Sequence, residues 1–213
     1  MWFWLLKWVL LGPVVRWYAR PTVVGDLPKD GPVIVAANHL TEIDSFVLCL
    51  VLIRKPRFVA KSEYFEGGGL RGRAERWLMK VTGQIPVDRS GGDAAAVALD
   101  AAERVLRDGG VWAIYPEGTR SPDGRLHRGH TGAMRVAQRV PEAKVVPVGI
   151  VGTRAVDVPG RNGWRRGRVR VTIGGTLDVP RADCREATDA LMDAIGALSG
   201  QERVDRYSHR SGA

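Results

Sequence analysis

The sequence alternates short apolar runs with longer helical stretches, and this alternation constrains the fold more than any other feature. After Pro21, apolar runs such as Val33–Ala37 and Val111–Tyr115 have the length of buried strands. Strands that alternate with helices in this way are typical of α/β folds. A chain of 213 residues is long enough for one domain with one core. We therefore predict a single α/β domain with a mixed, mostly parallel central sheet flanked by helices.

The same pattern predicts where the individual elements lie. Strands are expected at residues 33–37, 58–60, 84–87, 111–115, 145–151 and 169–173. Helices are expected at residues 45–53, 71–79, 93–108, 131–140 and 183–198. Polar motifs follow several of these strands, which is where open α/β sheets place their sites.

The first fifteen residues form an apolar segment that is rich in tryptophan, and Lys7 is their only charged residue. The tryptophans in and just after this segment are Trp2, Trp4, Trp8 and Trp17. A membrane-spanning helix needs about 20 apolar residues, so this shorter segment is expected to lie in a membrane interface. The alternative is a helix packed on the domain's own core. We take residues 1–20 as a membrane-associating helix and residues 21–213 as the domain that follows it.

The formal net charge of +9 predicts an anionic partner. Nucleic acid, an anionic membrane and phosphorylated substrates would all satisfy this charge, as would a solvated basic surface. Nucleic-acid-binding modules carry zinc-ligand spacings, aromatic RNA-binding motifs or basic-region heptads, and the sequence shows none of these, so we expect no nucleic-acid partner. Cys49 and Cys184 form no metal-ligand spacing and are interpreted as free thiols.

His39 and Asp44 are separated by four residues, between the strand at 33–37 and the helix that follows. In a tight turn, the carboxylate can reach one imidazole nitrogen and stabilise the imidazolium. The other nitrogen then remains available to take a proton from a substrate hydroxyl. Such a pair is common by itself, and a role for Asp44 as a helix N-cap is the alternative.

Three further segments accompany this pair: GQIPVDR at 83–89, YPEGTRS at 115–121 and VPVG at 146–149. Together with the His39 block, they resemble in order and spacing the four-block signature of the glycerolipid acyltransferases, in particular the 1-acylglycerol-3-phosphate acyltransferases. The resemblance covers roughly residues 25–180. It implies transfer of a fatty acyl group from a thioester to the free hydroxyl of 1-acylglycerol-3-phosphate, which gives phosphatidic acid in phospholipid biosynthesis. The alternative acceptors are glycerol 3-phosphate, another lysophospholipid or an amino-acid lipid.

The resemblance also implies a role for each site residue. His39 would be the general base and Asp44 its orienting partner, and intact copies of both argue against an inactive lipid-binding relative. The acceptor site would include Arg89, Glu117, Gly118, Thr119 and Arg120. Arg120 is the first choice for the phosphate, because a guanidinium matches phosphate oxygens; the alternative is a surface ion pair with Glu117 or Asp123. Lys61 matches a family lysine that would contact the phosphate or the thioester oxygen.

The sequence contains neither a metal-ligand spacing nor a nucleotide-binding loop, so we expect no metal and no bound cofactor beyond the acyl donor, which is acyl-CoA or acyl carrier protein. A lysophospholipid acceptor and its product partition into the bilayer. We therefore expect peripheral or monotopic association with the cytoplasmic face of the cell membrane, with contacts to its anionic surface. The tryptophan-rich N-terminus and the basic run 71–76 beside Trp77 would make these contacts. The arginines in 161–170 are expected to be the solvated face of a strand, with lipid headgroups or coenzyme A phosphates as alternative partners.

Overall fold

The computed structural model describes residues 2–61, 68–87, 94–178 and 183–208. Within these residues, seven strands form one sheet in the order β1-β7-β6-β2-β5-β3-β4. The strands are β1 (Thr22–Val24), β2 (Val33–Ala37), β3 (Pro56–Lys61), β4 (Ile85–Val87), β5 (Val111–Ile114), β6 (Lys144–Val151) and β7 (Arg170–Ile173). The helices are α1 (Trp2–Leu5), α2 (Leu11–Ala19), α3 (Ile43–Val51), α4 (Gly69–Thr82), α5 (Ala94–Arg107), α6 (Gly132–Arg139), α7 (Thr153–Val156) and α8 (Cys184–Ser199). A π-helical segment, Leu6–Leu10, connects α1 to α2.

The sheet is mixed and mostly parallel, as the sequence predicts. Strands β6, β2, β5, β3 and β4 run in one direction. Strand β7 is antiparallel to β6, and β1 runs parallel to β7 at the edge of the sheet. Helices cover both faces of the parallel strands, which is why every residue of β2 is buried.

Two clusters of buried side chains lie on opposite faces of the sheet. On one face, Val33 and Val35 belong to a cluster with Val15 of α2 and the apolar residues of α3. On the other face, Ile34 and Ala36 belong to a cluster with α5, α6 and α8. Successive side chains of β2 therefore point to opposite faces, and the domain has three layers with the sheet in the middle.

The N-terminal segment packs on the domain along one side, and its association with a membrane stays a prediction. Its buried apolar side chains are Phe3, Leu6, Val15 and Ala19. Its exposed tryptophans are Trp2, Trp4, Trp8 and Trp17. One side of the segment thus packs on the domain, while the indole rings remain at the surface. No helix in the described ranges is long and apolar enough to cross a membrane, and the boundary at residue 20 stays a prediction.

The predicted elements are present, and the bounds of several differ from the prediction by one to three residues; for α3 the structure shows why. The helix expected at 45–53 begins at Ile43 and ends at Val51. It begins earlier because the Asp157 carboxylate accepts the backbone N–H of Ile43 at 3.3 Å, which satisfies one amide of the first turn. It ends earlier because Leu52 is extended, with a ψ of 135°.

Strand β1 and helix α7 are two elements that the sequence pattern did not predict. They contain three and four residues, which is too short for a periodicity to be visible. The solvated strand face that was expected for the arginines in 161–170 is confirmed only at Arg170, which is exposed beside buried Val171. The other arginines of this region are exposed but precede the strand. Cys49 and Cys184 are free cysteines, as the sequence predicts.

Candidate active site

The polar motifs of the sequence meet at one edge of the sheet. Strands β2 and β5 are parallel neighbours, so the chain segments that follow them leave the sheet at the same edge. The first segment carries His39 and Asp44, and the second carries residues 115–121. This carboxyl edge of parallel strands is where α/β folds place their sites.

His39 and Asp44 are in direct contact at this edge. The Asp44 Oδ2 atom lies 2.9 Å from His39 Nδ1. It also accepts the backbone N–H groups of Leu40 at 2.6 Å and Thr41 at 2.8 Å. The Asp44 side chain is fully buried, whereas the imidazole is 17% exposed. Because an ionised carboxylate can only accept hydrogen bonds, it places the proton on Nδ1 and leaves Nε2 as the acceptor nitrogen.

The structure contradicts the alternative role of Asp44 as the N-cap of α3. Glu42 occupies the N-cap position, and Asp44 lies in the first turn of the helix. Its carboxylate reaches back over the preceding turn instead. The second oxygen, Oδ1, is buried and has no hydrogen-bond partner among the described residues. Leaving such an acceptor unpaired costs about 1–3 kcal/mol, and unsatisfied buried groups of this kind call for a functional explanation.

Glu117 is a fully buried carboxylate that fixes the backbone of His39. Its Oε1 accepts the N–H of His39 and its Oε2 accepts the N–H of His127, both at 3.0 Å. Burial raises the pKa of Glu117 to about 7, against the opposing effect of these two hydrogen bonds. The resemblance implied that Glu117 contacts the acceptor. Its carboxylate is buried and accepts two backbone N–H groups, one of them of His39, and its contact with the acceptor stays a prediction.

The carbonyl group of His39 is fixed as well. It accepts the backbone N–H of Ser121 at 2.7 Å. Because Ser121 follows Arg120 in the chain, this bond holds the Arg120 segment directly beside the pair of His39 and Asp44. Both the backbone N–H and the carbonyl of His39 are therefore hydrogen-bonded to the segment 117–121.

Asn38 belongs to the site region, although the sequence analysis did not identify it. Its amide exchanges two hydrogen bonds with the backbone of Ile150, at 2.8 and 2.7 Å. It also donates to Gln201 Oε1 at 2.7 Å. These bonds join the end of β2 to β6 and to the chain that follows α8. The only sequence signal for this role is the position of Asn38 directly before His39.

The Tyr115 ring stacks on the imidazole of His39. The two ring centroids are 3.9 Å apart and the planes differ by 9°. The Tyr115 hydroxyl forms a hydrogen bond of 2.8 Å with Ser45 Oγ in the first turn of α3. Burial, together with the negative charge of Asp44, raises the pKa of Tyr115 well above its usual range. The phenol is therefore neutral, and its stacked ring restricts the orientation of the imidazole.

Gly118 and Thr119 lie in the turn that follows. The Gly118 N–H donates to the Tyr115 carbonyl at 3.0 Å, and its φ of +74° is a conformation that favours glycine. A side chain at this position would come within 3.0 Å of the His130 ring. Gly118 is exposed and Thr119 is half-buried. Both lie at the surface beside the site, and their contact with the acceptor stays a prediction.

Arg120 is exposed and forms an ion pair with Glu42 Oε1 at 2.8 Å. The alternative to phosphate binding named Glu117 or Asp123 as its partner, and the structure shows a different one. Both members of the pair are more than half exposed, at 53% for Arg120 and 74% for Glu42. Such a surface ion pair contributes only about 0–1 kcal/mol, so a phosphate can replace Glu42.

Lys61 and Arg89 complete the predicted set. Lys61 is the last residue of β3 and is paired in register with Val87. Because β3 is parallel to β5, Lys61 reaches the same edge of the sheet as the segment after β5. Arg89 lies outside the described residues, and substrate contacts of both residues stay predictions. Within the described ranges, no group of three His, Cys, Asp or Glu side chains is placed to hold a metal ion.

Known proteins are similar to this chain in sequence over most of its length. A family model described as acyltransferase matches residues 20–151. A chloroplast 1-acyl-sn-glycerol-3-phosphate acyltransferase of Arabidopsis thaliana is 30% identical over 174 residues, which are 80% of this chain and 47% of that protein. A probable 1-acyl-sn-glycerol-3-phosphate acyltransferase of Mycoplasma genitalium is 33% identical over 132 residues, which are 60% of this chain and 46% of the relative. The chain spans about half the length of the curated relatives it matches.

A solved structure shares the fold. The 1-acyl-sn-glycerophosphate acyltransferase PlsC of Thermotoga maritima matches with a TM-score of 0.70 and 23% sequence identity, over 90% of this chain and 78% of that one. The family match includes the His39 block and the segments at 83–89, 115–121 and 146–149. The chain therefore belongs to the acyltransferase family, as its sequence motifs predict.

Proposed function

We propose that this chain transfers a fatty acyl group from an acyl thioester to the free hydroxyl of 1-acylglycerol-3-phosphate, which gives phosphatidic acid. The observation that carries the proposal is the contact of 2.9 Å between His39 and Asp44, which leaves Nε2 for a hydroxyl group. The names of the relatives support the same acceptor. The reaction is an O-acyl transfer in phospholipid biosynthesis.

The proton of the acceptor hydroxyl passes through His39. Nε2 removes this proton while the hydroxyl oxygen attacks the carbonyl carbon of the thioester. The ester C–O bond forms, the C–S bond breaks, and the imidazolium returns the proton to the leaving thiolate. Asp44 stabilises the imidazolium during this sequence. No acyl-enzyme forms, because the acceptor oxygen attacks the thioester directly.

Arg120 is the proposed ligand of the acceptor phosphate. It is held beside the base because the next residue, Ser121, donates to the His39 carbonyl. Its present partner, Glu42, is exposed and easily replaced. A guanidinium binds phosphate oxygens through two parallel hydrogen bonds. Thr119, Gly118, Lys61 and Arg89 are proposed to complete this site.

The proposed acceptor and product are membrane lipids, so the protein is proposed to work at a membrane surface. Exposed tryptophans of the N-terminal segment support this location. Trp77 of α4 adds to them, since its ring lies 6.1 Å from that of Trp2, and Arg73 and Lys80 line the same surface groove. The proposed location is the cytoplasmic face of the cell membrane, where acyl-CoA or acyl carrier protein delivers the donor. This chemistry requires no further cofactor.

The test is release of free thiol from palmitoyl-CoA by the purified chain in detergent, with and without 1-acylglycerol-3-phosphate. We expect release that requires the acceptor and that falls by about 10²–10⁴-fold in His39→Ala. Circular dichroism of both proteins controls for folding. In a second series, acyl carrier protein loaded with palmitate replaces palmitoyl-CoA as the donor.

Three results would count against the proposal. No release from either donor by a folded protein would exclude acyl transfer. Equal release by His39→Ala would exclude His39 as the base. Release with glycerol 3-phosphate, but none with 1-acylglycerol-3-phosphate, would move the reaction to another acceptor.

A further inference from the structure

A groove of about 330 Å³ lies where the N-terminal helices meet strand β1 and the C-terminal end of α3. Its apolar walls include Trp4, Trp8, Val23, Leu50 and Ile53. Its charged residues are Lys7 and Arg16, and none of the described residues that line it is acidic. The groove is distant from the catalytic pair, because about 10 Å of helix separates Asp44 from Val51 in its wall.

Lys7 is a buried ammonium group at the base of this groove. Its side chain donates to the carbonyl of Leu52 and is only 7% exposed. The rings of Trp4 and Trp8 lie 5.2 and 5.3 Å from its Nζ atom. Burial lowers the pKa of Lys7 and raises the pKa of the nearby Cys49 thiol to about 12, so this thiol is neutral. The C-terminus of α3 and the rings of Trp4 and Trp8 compensate only part of the positive charge of Lys7.

The π-helical segment holds Lys7 in this buried position. A side chain at Gly12 would lie 1.6 Å from the Lys7 carbonyl oxygen, so only glycine fits there. The next residue, Pro13, has no N–H to continue the α-helical ladder. The backbone accommodates both residues by widening into a π turn between Leu6 and Leu10, a feature that is frequent at functional sites.

Arg16 places a second cation at the opening of the groove. Its side chain is exposed, and its Cζ atom lies 4.6 Å from the centroid of the Trp8 ring. This contact holds the guanidinium against the groove. Among the described residues, no carboxylate forms an ion pair with Arg16. Its hydrogen-bond donors are therefore available to an anion.

We infer that this groove binds the phosphate of an anionic membrane phospholipid. Two cations without an acidic neighbour match one anionic headgroup, and the apolar walls match the first part of its acyl chains. Exposed Val9, Leu10 and Val24 extend the apolar surface around the groove, which a soluble anion would not contact. This lipid is a bound membrane component and not the acceptor, so the inference goes beyond the proposed function.

The test is calorimetric titration of the full chain with dihexanoyl phosphatidylglycerol and with dihexanoyl phosphatidylcholine, each below its micelle-forming concentration. We expect saturable binding of one phosphatidylglycerol. Phosphatidylcholine is expected to bind about tenfold more weakly, because its choline cation opposes Lys7 and Arg16. Arg16→Gln is expected to weaken phosphatidylglycerol binding about tenfold. Arg135→Gln is the matched control, since Arg135 is exposed on α6 at the other face of the sheet.

Lys7→Met provides a second, independent variant. It removes the buried charge and keeps an unbranched side chain, so the fold is expected to persist. Phosphatidylglycerol should raise the melting temperature of the wild type and raise that of Lys7→Met much less. His39→Ala should bind phosphatidylglycerol as the wild type does, which separates this site from acyl transfer. No binding, equal binding of the two lipids, or unchanged binding in both groove variants would overturn the inference.

Discussion

At the scale of single residues, Asp44 provides both geometry and charge, and these two contributions can be separated. Its Oδ2 atom accepts three hydrogen bonds, whereas its Oδ1 atom is buried without a described partner. In Asp44→Asn, the amide oxygen can occupy the Oδ2 position and keep all three bonds. The negative charge is lost, so we expect turnover to fall by about 10²–10⁴-fold. The buried amide nitrogen should lower the free energy of unfolding by about 1–3 kcal/mol.

Steady-state thiol release and chemical denaturation measure these two effects of Asp44→Asn. A variant with nearly wild-type turnover would show that orientation alone, and not the carboxylate charge, supports His39.

Arg120 and Glu42 form a pair whose members should respond in opposite ways. Arg120→Gln removes the guanidinium that is proposed to bind phosphate, and we expect KM for 1-acylglycerol-3-phosphate to rise about tenfold or more. Glu42→Gln releases Arg120 from its ion pair of 2.8 Å and should leave this KM unchanged or lower it. Acceptor titrations at saturating palmitoyl-CoA measure both constants. An unchanged KM in Arg120→Gln would assign the phosphate to other residues.

The sequence predicted the contact between His39 and Asp44 better than it predicted the surroundings of that pair. The spacing of His39 and Asp44 was informative because both lie in one turn, where local geometry decides the contact. The partner of Glu117, the His39 amide, was missed because it is 78 residues away in the chain. The partner of Arg120 was missed for the same reason, since Glu42 reaches it from across the site. A motif identifies the residue type and does not show which atoms the side chain faces.

At the scale of elements, the central strands were predictable and the edges were not. The run Val33–Ala37 is buried on both faces, so its sequence is continuously apolar and its bounds agree with the prediction. Strand β1 is exposed at all three positions and, among the described strands, pairs with β7 alone. Its pairing depends on tertiary contacts that no local pattern contains.

Glu117 connects the segment that follows β2, through His39, to the segment that follows β5, through His127. Its burial makes the stability of the folded protein depend on pH. The pKa of Glu117 is raised to about 7 in the folded protein from about 4.5 in the unfolded chain. The folded state therefore holds this proton more tightly, and its contribution to stability is lost as the pH rises through this interval. Glu117→Gln does not titrate, but one of its amide hydrogens must face a backbone N–H. We expect this variant to be less stable than the wild type at pH 5.

The stability difference between wild type and Glu117→Gln should then shrink between pH 5 and pH 8, by an amount on the order of 3 kcal/mol. Urea denaturation of both proteins across this range measures the difference. A difference that stays constant between pH 5 and pH 8 would mean that the two backbone hydrogen bonds keep Glu117 ionised throughout this range.

At the scale of the whole molecule, the proposed membrane association depends on charge and on exposed apolar surface. The chain carries a net charge of +9, and several cations lie against exposed indole rings. Arg166 is 4.2 Å from the centroid of the Trp17 ring, and Arg16 contacts Trp8 in the same way. Apolar insertion and attraction to anionic lipid should therefore act together, and only the second should be screened by salt.

Sedimentation with lipid vesicles can separate these two contributions to binding. Binding to phosphatidylglycerol-containing vesicles should weaken as salt rises from about 0.1 to 1 M, because the Debye length falls from about 10 to 3 Å. Trp17→Ala removes a side chain that is 60% exposed and should weaken binding roughly three- to tenfold at both salt concentrations. Val97→Ala is the control, because Val97 is 52% exposed on α5, which covers the other face of the sheet. If Trp17→Ala binds as the wild type does, or Val97→Ala is equally impaired, the N-terminal segment is not the surface that enters the lipid.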